Sequence, residues 1–268
     1  MNISFATFNI WFDNYEIYKR TSNLILEILN TTPRISVIAL QEVRQYTLEF
    51  IKQSNLANYY NIIYEPINQS GYDTIFLVSK EFIINKYIYH PFTHTKMNRN
   101  LKIISITKNN NDDNNTFLIS TAHFESEFKI KNPNLYKISQ INETFTILNK
   151  MIEEEIPDKY NLVLFMGDTN ITSKEKNIKI PFLDINDWKD YFIEFGSPKY
   201  LEYTYDYTKN NNVKIPVKSR LDRIYYKNLK NIFEPYSFTF LGLEPTKDNI
   251  YTSDHFGILA NFMFKKIL

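Results

Sequence analysis

Cleaving a phosphate ester calls for a hard cation, a group that activates water and a donor that takes up charge around phosphorus. Four short strings spread over the chain end in residues of those types: FATFN with Asn9, LQE with Glu42, GDTN with Asp168 and Asn170, and SDH with Asp254 and His255. Glu42, at the polar exit of an apolar run, suits Mg2+, which takes a few carboxylates and fills its shell with water and substrate oxygens. A surface glutamate at a helix cap explains LQE alone equally well. In LVLFMGDTN, Gly167 allows a sharp turn after a strand. If the chain stays extended there, Asp168 and Asn170 project to one side. A carboxylate beside an amide can then accept a proton from water and hold that water in line with phosphorus. An ordinary Asx turn at a strand end is the plainer alternative. His255 can donate to a phosphoryl oxygen, and Asp222 in SRLDRIYY is the candidate to orient its other nitrogen. His123 and Ser126 in STAHFES could donate to a phosphate, or simply close a turn. His90 and His94 in YHPFTHT are four apart, but Pro91 breaks any helix there and no third ligand is near, so they read as surface residues.

Each string closes an apolar run that reads as a buried strand. Polar groups at strand ends can converge on one side of a sheet sandwich although far apart in sequence. Strands are expected over Ile3–Phe8, Ile35–Leu40, Tyr59–Tyr64, Tyr72–Ser79, Phe82–Tyr89, Leu101–Thr107, Thr116–Ala122, Asn161–Met166, Leu221–Tyr226 and Gly257–Phe264. Apolar residues at helical spacing predict helices over Tyr15–Leu29 and Leu135–Ile156, the second closed by Pro157. The tract NNNDDNN reads as a hairpin or surface loop. No repeat or glycine-serine linker divides the chain, so one domain over residues 1–268 is expected: an α/β fold with two β-sheets face to face and helices outside.

Composition narrows the classes. With 268 residues, 43% of them hydrophobic, a sizeable core forms without staples. There is no cysteine, which removes disulfides, thiolate metal sites and a cysteine nucleophile, and fits a reducing compartment. A net charge of +1 argues against a non-specific polyelectrolyte binder and leaves a local groove for any nucleic acid. No apolar run is long enough to span a bilayer, and MNISFATFNI has no secretory pattern. An intracellular protein, nuclear or cytoplasmic, not secreted, away from membranes and monomeric, is the expectation.

The four strings in this order resemble the endonuclease/exonuclease/phosphatase superfamily of Mg2+-dependent phosphodiesterases, and within it the 5′-tyrosyl-DNA phosphodiesterase family. That likeness spans nearly the whole chain: FATFN, LQEV, HFES, FMGDTN, the unusual YTYDYTKNNNVKIP, SRLDRIYY and SDHFGIL. The resemblance implies a four-layer α/β sandwich of two mixed sheets flanked by helices, like DNase I. It implies that Glu42 ligates the metal, with Asn9 and Asp254 completing or orienting that site. Mg2+ is the implied cofactor, Mn2+ a possible substitute. Asp168 and Asn170 would activate and position water, His255 oriented by Asp222 would stabilise the phosphoryl oxygens, and His123 and Ser126 would contact the phosphate. Tyr205, Val213, Ile215 and Leu221 would line a narrow channel for single-stranded DNA, whose bases stack on such walls without sequence reading. The implied substrate is a 5′-tyrosyl single-stranded DNA end, as on a trapped topoisomerase II–DNA adduct, hydrolysed in one in-line step. Phenol, with a pKa of about 10, leaves with little protonation.

This chain departs from the family's pattern in four places. Trp11 and Phe12 stand where an aspartate and a glycine are usual, Thr172 where an arginine follows the GDTN asparagine, and Tyr205 where a tryptophan is common. The ubiquitin-binding segment that precedes the catalytic domain in animal members is expected to be missing. Competing readings are an abasic-site endonuclease or 3′ exonuclease of the same superfamily, removal of tyrosine-linked protein from RNA 5′ ends, a lipid phosphodiesterase, and a silent nucleic-acid binding module.

Overall fold

The computed structural model describes residues 2–67, 70–108, 115–126, 135–154, 159–172 and 188–265. In chain order these form β1 (Asn2–Asn9), α1 (Ile17–Asn30), β2 (Val37–Val43), α2 (Gln45–Gln53), α3 (Leu56–Tyr59), β3 (Tyr60–Ile63), β4 (Asp73–Ser79), β5 (Phe82–Pro91), β6 (Asn100–Lys108), β7 (Asn115–Ala122) and α4 (Leu135–Glu154). There follow β8 (Leu162–Asp168), β9 (Lys189–Asp190), α5 (Tyr191–Glu194), β10 (Tyr205–Asp206), β11 (Lys218–Ser219), β12 (Asp222–Asn228), β13 (Phe233–Leu241) and β14 (Gly257–Phe264). One six-stranded sheet has the order β13-β14-β1-β2-β4-β3 and the other β5-β6-β7-β8-β12-β9; β10 and β11 form a separate ribbon. Both sheets are mixed, because β1–β2 and β7–β8 run parallel while their neighbours run antiparallel.

The strands are apolar on both faces because both faces are covered. On β1 and β2, Ile3, Phe5, Val37 and Ala39 point between the sheets and meet Ile104, Phe117, Leu164, Met166 and Ile224. Their alternates Phe8, Ile38 and Leu40 point outward against Leu24 and Ile28 of α1 and Leu48 and Ile51 of α2. On the other side Val163, Phe165 and Tyr225 face out against Ile141, Phe145 and Leu148 of α4. Helix, sheet, sheet and helix therefore stack as four layers, the expected α/β sandwich.

The expected elements recur with shifted ends, and three differences have local causes. Tyr59 ends the short α3 rather than opening a strand, with β3 beginning at Tyr60. Helix α2 and strand β13 were not anticipated. β13 carries a register shift between Pro235 and Ser237 that breaks its alternation. Gly167 does not make a turn: it lies inside β8, and a Cβ there would fall 2.1 Å from the carbonyl oxygen of Ala122 on β7. Pro157 and most of NNNDDNN lie outside the described residues.

Candidate active site

Two ladder relationships place the acidic residues. β1 pairs in parallel with β2, which brings Asn9 beside Gln41 and hence next to Glu42. β8 pairs antiparallel with β12 so that Asp168 and Asp222 sit directly opposite each other. Both point inward, in phase with Met166 and Ile224. His123, just past β7, forms a parallel bridge to Asp168. Two like charges opposed across a ladder repel, so a cationic partner is required, and His255 supplies it.

The centre of the site is the Asn9 side chain, which is 1% exposed. Its Nδ2 donates to Asp168 Oδ2 at 2.9 Å and to Glu42 Oε1 at 3.1 Å, while its Oδ1 accepts from the Trp11 amide at 3.0 Å. Period two would send Glu42 to the opposite face from Gln41, which is buried between the sheets on Thr7 and Thr121. Instead Glu42 has a left-handed backbone (φ 62°), and the β2–β4 register slips between Leu40 and Val43. That conformation disfavours a residue with a Cβ. Here it accompanies a carboxylate held at both oxygens, Oε2 accepting from the Phe12 amide at 2.9 Å.

Asp168 accepts from the Asn170 amide at 2.9 Å through Oδ1, and His123 Nε2 and His255 Nε2 lie 3.4 and 4.0 Å from its Oδ2. The chain does not stay extended through GDTN, as the same-side projection required. Asn170 is left-handed (φ 51°), its Nδ2 donates to Phe124 O at 2.9 Å, and Lys137 Nζ donates to its main-chain carbonyl at 2.7 Å. GDTN thus forms the Asx turn of the plainer alternative, with Asn170 beside Asp168. His255 Nδ1 meets Asp222 Oδ2 at 2.8 Å, the orientation expected for that pair. Thr204 Oγ1 accepts the amides of Leu221 and Asp222 and so fixes the start of β12.

The two histidines are driven apart. Burial pushes His123 down, and the Arg99 guanidinium beside it adds to this, so His123 lies well below the ordinary imidazole value. Arg99 Nη1 and Nη2 lie 3.0 and 3.4 Å from His123 Nδ1 and Nε2, so the guanidinium faces the ring edge, and His123 Nε2 lies 3.4 Å from Asp168 Oδ2. Burial also opposes charge on His255, but the Asp222 carboxylate and its hydrogen bond, with Asp254 and Asp168, lift His255 well above the ordinary value. Near neutrality the site holds one neutral imidazole and one imidazolium. Burial likewise pushes Asp168 up, yet the histidines and the Asn9 and Asn170 donors leave it below the usual carboxylate range.

Glu42 and Asp254 behave differently. Burial raises Glu42 against the Phe12 and Asn9 donors. Asp254 is pushed up to about 7 by burial, with His255 opposing and the Glu42 charge adding. Two desolvated carboxylates, one raised further by the charge of the other, fit a divalent cation, whose charge would offset both effects. Among the described residues, Asp168, Asp222 and His255 also bring three potential ligand atoms within 4.8 Å of one another. In that trio the Asp222 oxygen is taken by His255 and both Asp168 oxygens accept hydrogen bonds. Glu42 accepts at both oxygens as well, so the choice rests on ligand type: Glu42 and Asp254 offer oxygen alone, which a hard cation prefers.

The remaining expected residues divide. Tyr205 packs edge-on against His255, ring centroids 5.1 Å apart, and Leu221 and Val213 are buried nearby in sequence terms, whereas Ile215 is exposed. Ser126 Oγ lies 3.4 Å from the sulfur of Met97, so it sits at the Arg99 side of the site. His90 bonds Glu143 at 2.7 Å and His94 is exposed, both away from the centre, in keeping with their reading as surface residues. Sequence reasoning missed Arg99, Tyr72, Thr204, Lys137 and Arg20. The fully buried guanidinium of Arg20 donates to the carbonyls of Ile10, Trp11, Asp13, Tyr15 and Thr252, tying the loop after β1 to the segment before Asp254. No local pattern marks any of these five; each matters through a partner distant in sequence.

A family model described as the Endonuclease/Exonuclease/phosphatase family matches residues 6–255. Tyrosyl-DNA phosphodiesterase 2 of Mus musculus is 33% identical over 264 residues, covering 96% of this chain and 65% of that protein. The Rattus norvegicus protein of the same name is 33% identical, with 96% and 66% covered. The chain thus spans about two thirds of the length of these relatives. The crystal structure of D. rerio TDP2 complexed with single-strand DNA product matches with a TM-score of 0.84 at 25% identity, over 98% of this chain and 99% of that one. With a match that runs from β1 to His255 and takes in every acidic and histidine position of the site, the chain belongs to the endonuclease/exonuclease/phosphatase family.

Proposed function

We propose that this chain is a divalent-metal-dependent phosphodiesterase that hydrolyses the bond between a tyrosine and the 5′-phosphate of single-stranded DNA. It leaves a 5′-phosphate, and its role is repair of trapped topoisomerase–DNA adducts. The observation that carries the proposal is the Asn9 amide bonded at once to Asp168 and Glu42, flanked by one neutral and one charged histidine. The likeness to proteins named tyrosyl-DNA phosphodiesterase 2, one with a single-strand DNA product, supports the substrate.

Asp168 accepts a proton from the attacking water, its carboxylate kept ionised by its hydrogen bonds and neighbouring histidines. Asn170 commits Nδ2 to Phe124, which leaves Oδ1 as an acceptor to aim that water. His255, charged and oriented by Asp222, donates to the phosphoryl oxygens as charge builds. His123, neutral and fixed by Arg99, adds a donor without adding a competing charge. Glu42 and Asp254 would hold Mg2+, with Mn2+ as a substitute, and the bound ion supplies Lewis-acid polarisation of the phosphate. Tyr205 and Ile215 form the wall on which unpaired bases stack, with the buried Val213 and Leu221 behind it.

The test is a short single-stranded DNA with a 5′-phosphotyrosine, incubated with Mg2+, beside duplex DNA with an abasic site. Release of tyrosine and a 5′-phosphate, stopped by EDTA, is expected. Glu42→Ala and Asp168→Ala should each lose about 10²-fold or more in kcat while remaining folded by circular dichroism. Cleavage of the abasic duplex alone would refute the assignment.

A further inference from the structure

We infer that Phe12, stacked on Tyr72, receives the aromatic ring of the leaving group and so selects aryl over alkyl phosphodiesters. The inference rests on the tyrosyl phosphodiesterase reading and adds a specificity residue to it.

In an in-line displacement the nucleophile and the leaving oxygen lie on opposite sides of phosphorus. Asp168 and Glu42 are bridged by one amide group, at 2.9 and 3.1 Å. With Asp168 as the proposed activator of water, the leaving oxygen is placed across phosphorus from it, toward the Glu42 end. Phe12 belongs to that end, since its own amide donates to Glu42 Oε2.

Phe12 is 43% exposed, although its amide sits on the half-buried Glu42 carboxylate. One face stacks on Tyr72, centroids 4.9 Å apart and 17° from parallel. Tyr72 in turn lies 6.2 Å from His123, tilted by 33°, and under the Arg99 guanidinium at 5.3 Å. A stack of rings therefore runs from the phosphate-contacting histidine outward to solvent. The second aromatic wall, Tyr205, is attached to the other histidine, His255. Two aromatic walls on two histidines divide the work: bases on Tyr205, the phenol on Phe12. Local backbone geometry presents the ring. Trp11 is left-handed (φ 60°) and folds its own ring over Arg20 at 4.4 Å, so the next side chain turns the opposite way, onto Tyr72. Arg44 Nη1 holds the Phe12 carbonyl at 3.1 Å.

Kinetics on two 5′-linked single-stranded DNAs test this, one carrying phosphotyrosine and one a fluorinated alkyl alcohol of phenol-like acidity. Phe12→Ala should lower kcat/KM about three- to tenfold on the tyrosyl substrate, the worth of one aromatic pair, and less than about twofold on the alkyl one. Phe12→Trp and Phe12→Tyr should restore the preference and Phe12→Leu should not. Equal losses on both substrates would mean that Phe12 acts only through its amide on Glu42, and would overturn the inference. So would wild-type values for Phe12→Ala on both, with the tyrosyl phosphodiesterase reading intact. A wild-type protein inert on the tyrosyl end would overturn that reading and the inference together.

Discussion

Replacing Arg20 by lysine keeps the charge and removes the fork, and the outcome follows from donor arithmetic. Guanidinium has five N–H donors. Here all five are used: Nε on Thr252 O, Nη1 on the carbonyls of Asp13 and Tyr15, and Nη2 on those of Ile10 and Trp11. The side chain is 1% exposed, so water replaces none of these bonds at the guanidinium. Lysine offers three donors at a single point, which leaves at least two carbonyls without a partner. Each unsatisfied buried group costs roughly 1–3 kcal/mol. Asp13 and Tyr15 lie in exposed residues, so their carbonyls can recruit water, and the lower part of the range applies to them. Arg20→Lys should therefore lose about 2–4 kcal/mol in urea denaturation. Activity should also fall, because Arg20 anchors the carbonyls on either side of the Phe12 amide that holds Glu42. A loss below ~0.5 kcal/mol would refute the accounting, since it would mean that two carbonyls in this loop need no donor.

Three further outcomes follow from the same geometry. Asp222→Asn removes the carboxylate that orients and charges His255, and kcat should fall about 10²-fold with little change in KM; an unchanged kcat would take His255 out of the reaction. Asp73→Asn strips the carboxylate from Lys102, a fully buried ammonium 2.9 Å away, and should cost about 3–5 kcal/mol, while Asp73→Leu combined with Lys102→Met should recover most of it; equal destabilisation in single and double variants would show that the pair is not the cause. Glu143 is partly buried, which alone would raise it, but His90 and Thr93 hold it below 4.5. A depressed folded value contributes stability above the unfolded one and loses it as pH falls through the folded one. The advantage of wild type over Glu143→Gln should therefore be complete at neutral pH and be lost in acid melts as the pH falls through the lowered Glu143 value; a gap that persists once the carboxyl is protonated would assign it to packing.

What the sequence could show is set by how local each signal is. Ile35–Leu40 and Asn161–Met166 are continuous apolar runs because both faces of each sheet are covered, and that alone identifies buried strands with polar exits. The exits then carry Asn9, Glu42 and Asp168 to one place because β1, β2 and β8 lie side by side or face to face. Strand β13 was hidden because its bulge at Pro235 breaks the alternation that reveals a strand. The geometry of GDTN escaped for a related reason: the left-handed φ of Asn170 is stabilised by Phe124 and Lys137, 46 and 33 residues away, and no property of the tetrapeptide announces them. Arg20 and Arg99 are the strongest case. As letters they are ordinary surface cations; in the fold both are buried, one on five carbonyls and one on a histidine. The groups that do the chemistry are polar residues at strand ends and are visible one at a time. The groups that orient them are contacts between elements, so only the assembled sandwich reveals them. This asymmetry is expected wherever a site is built at sheet ends.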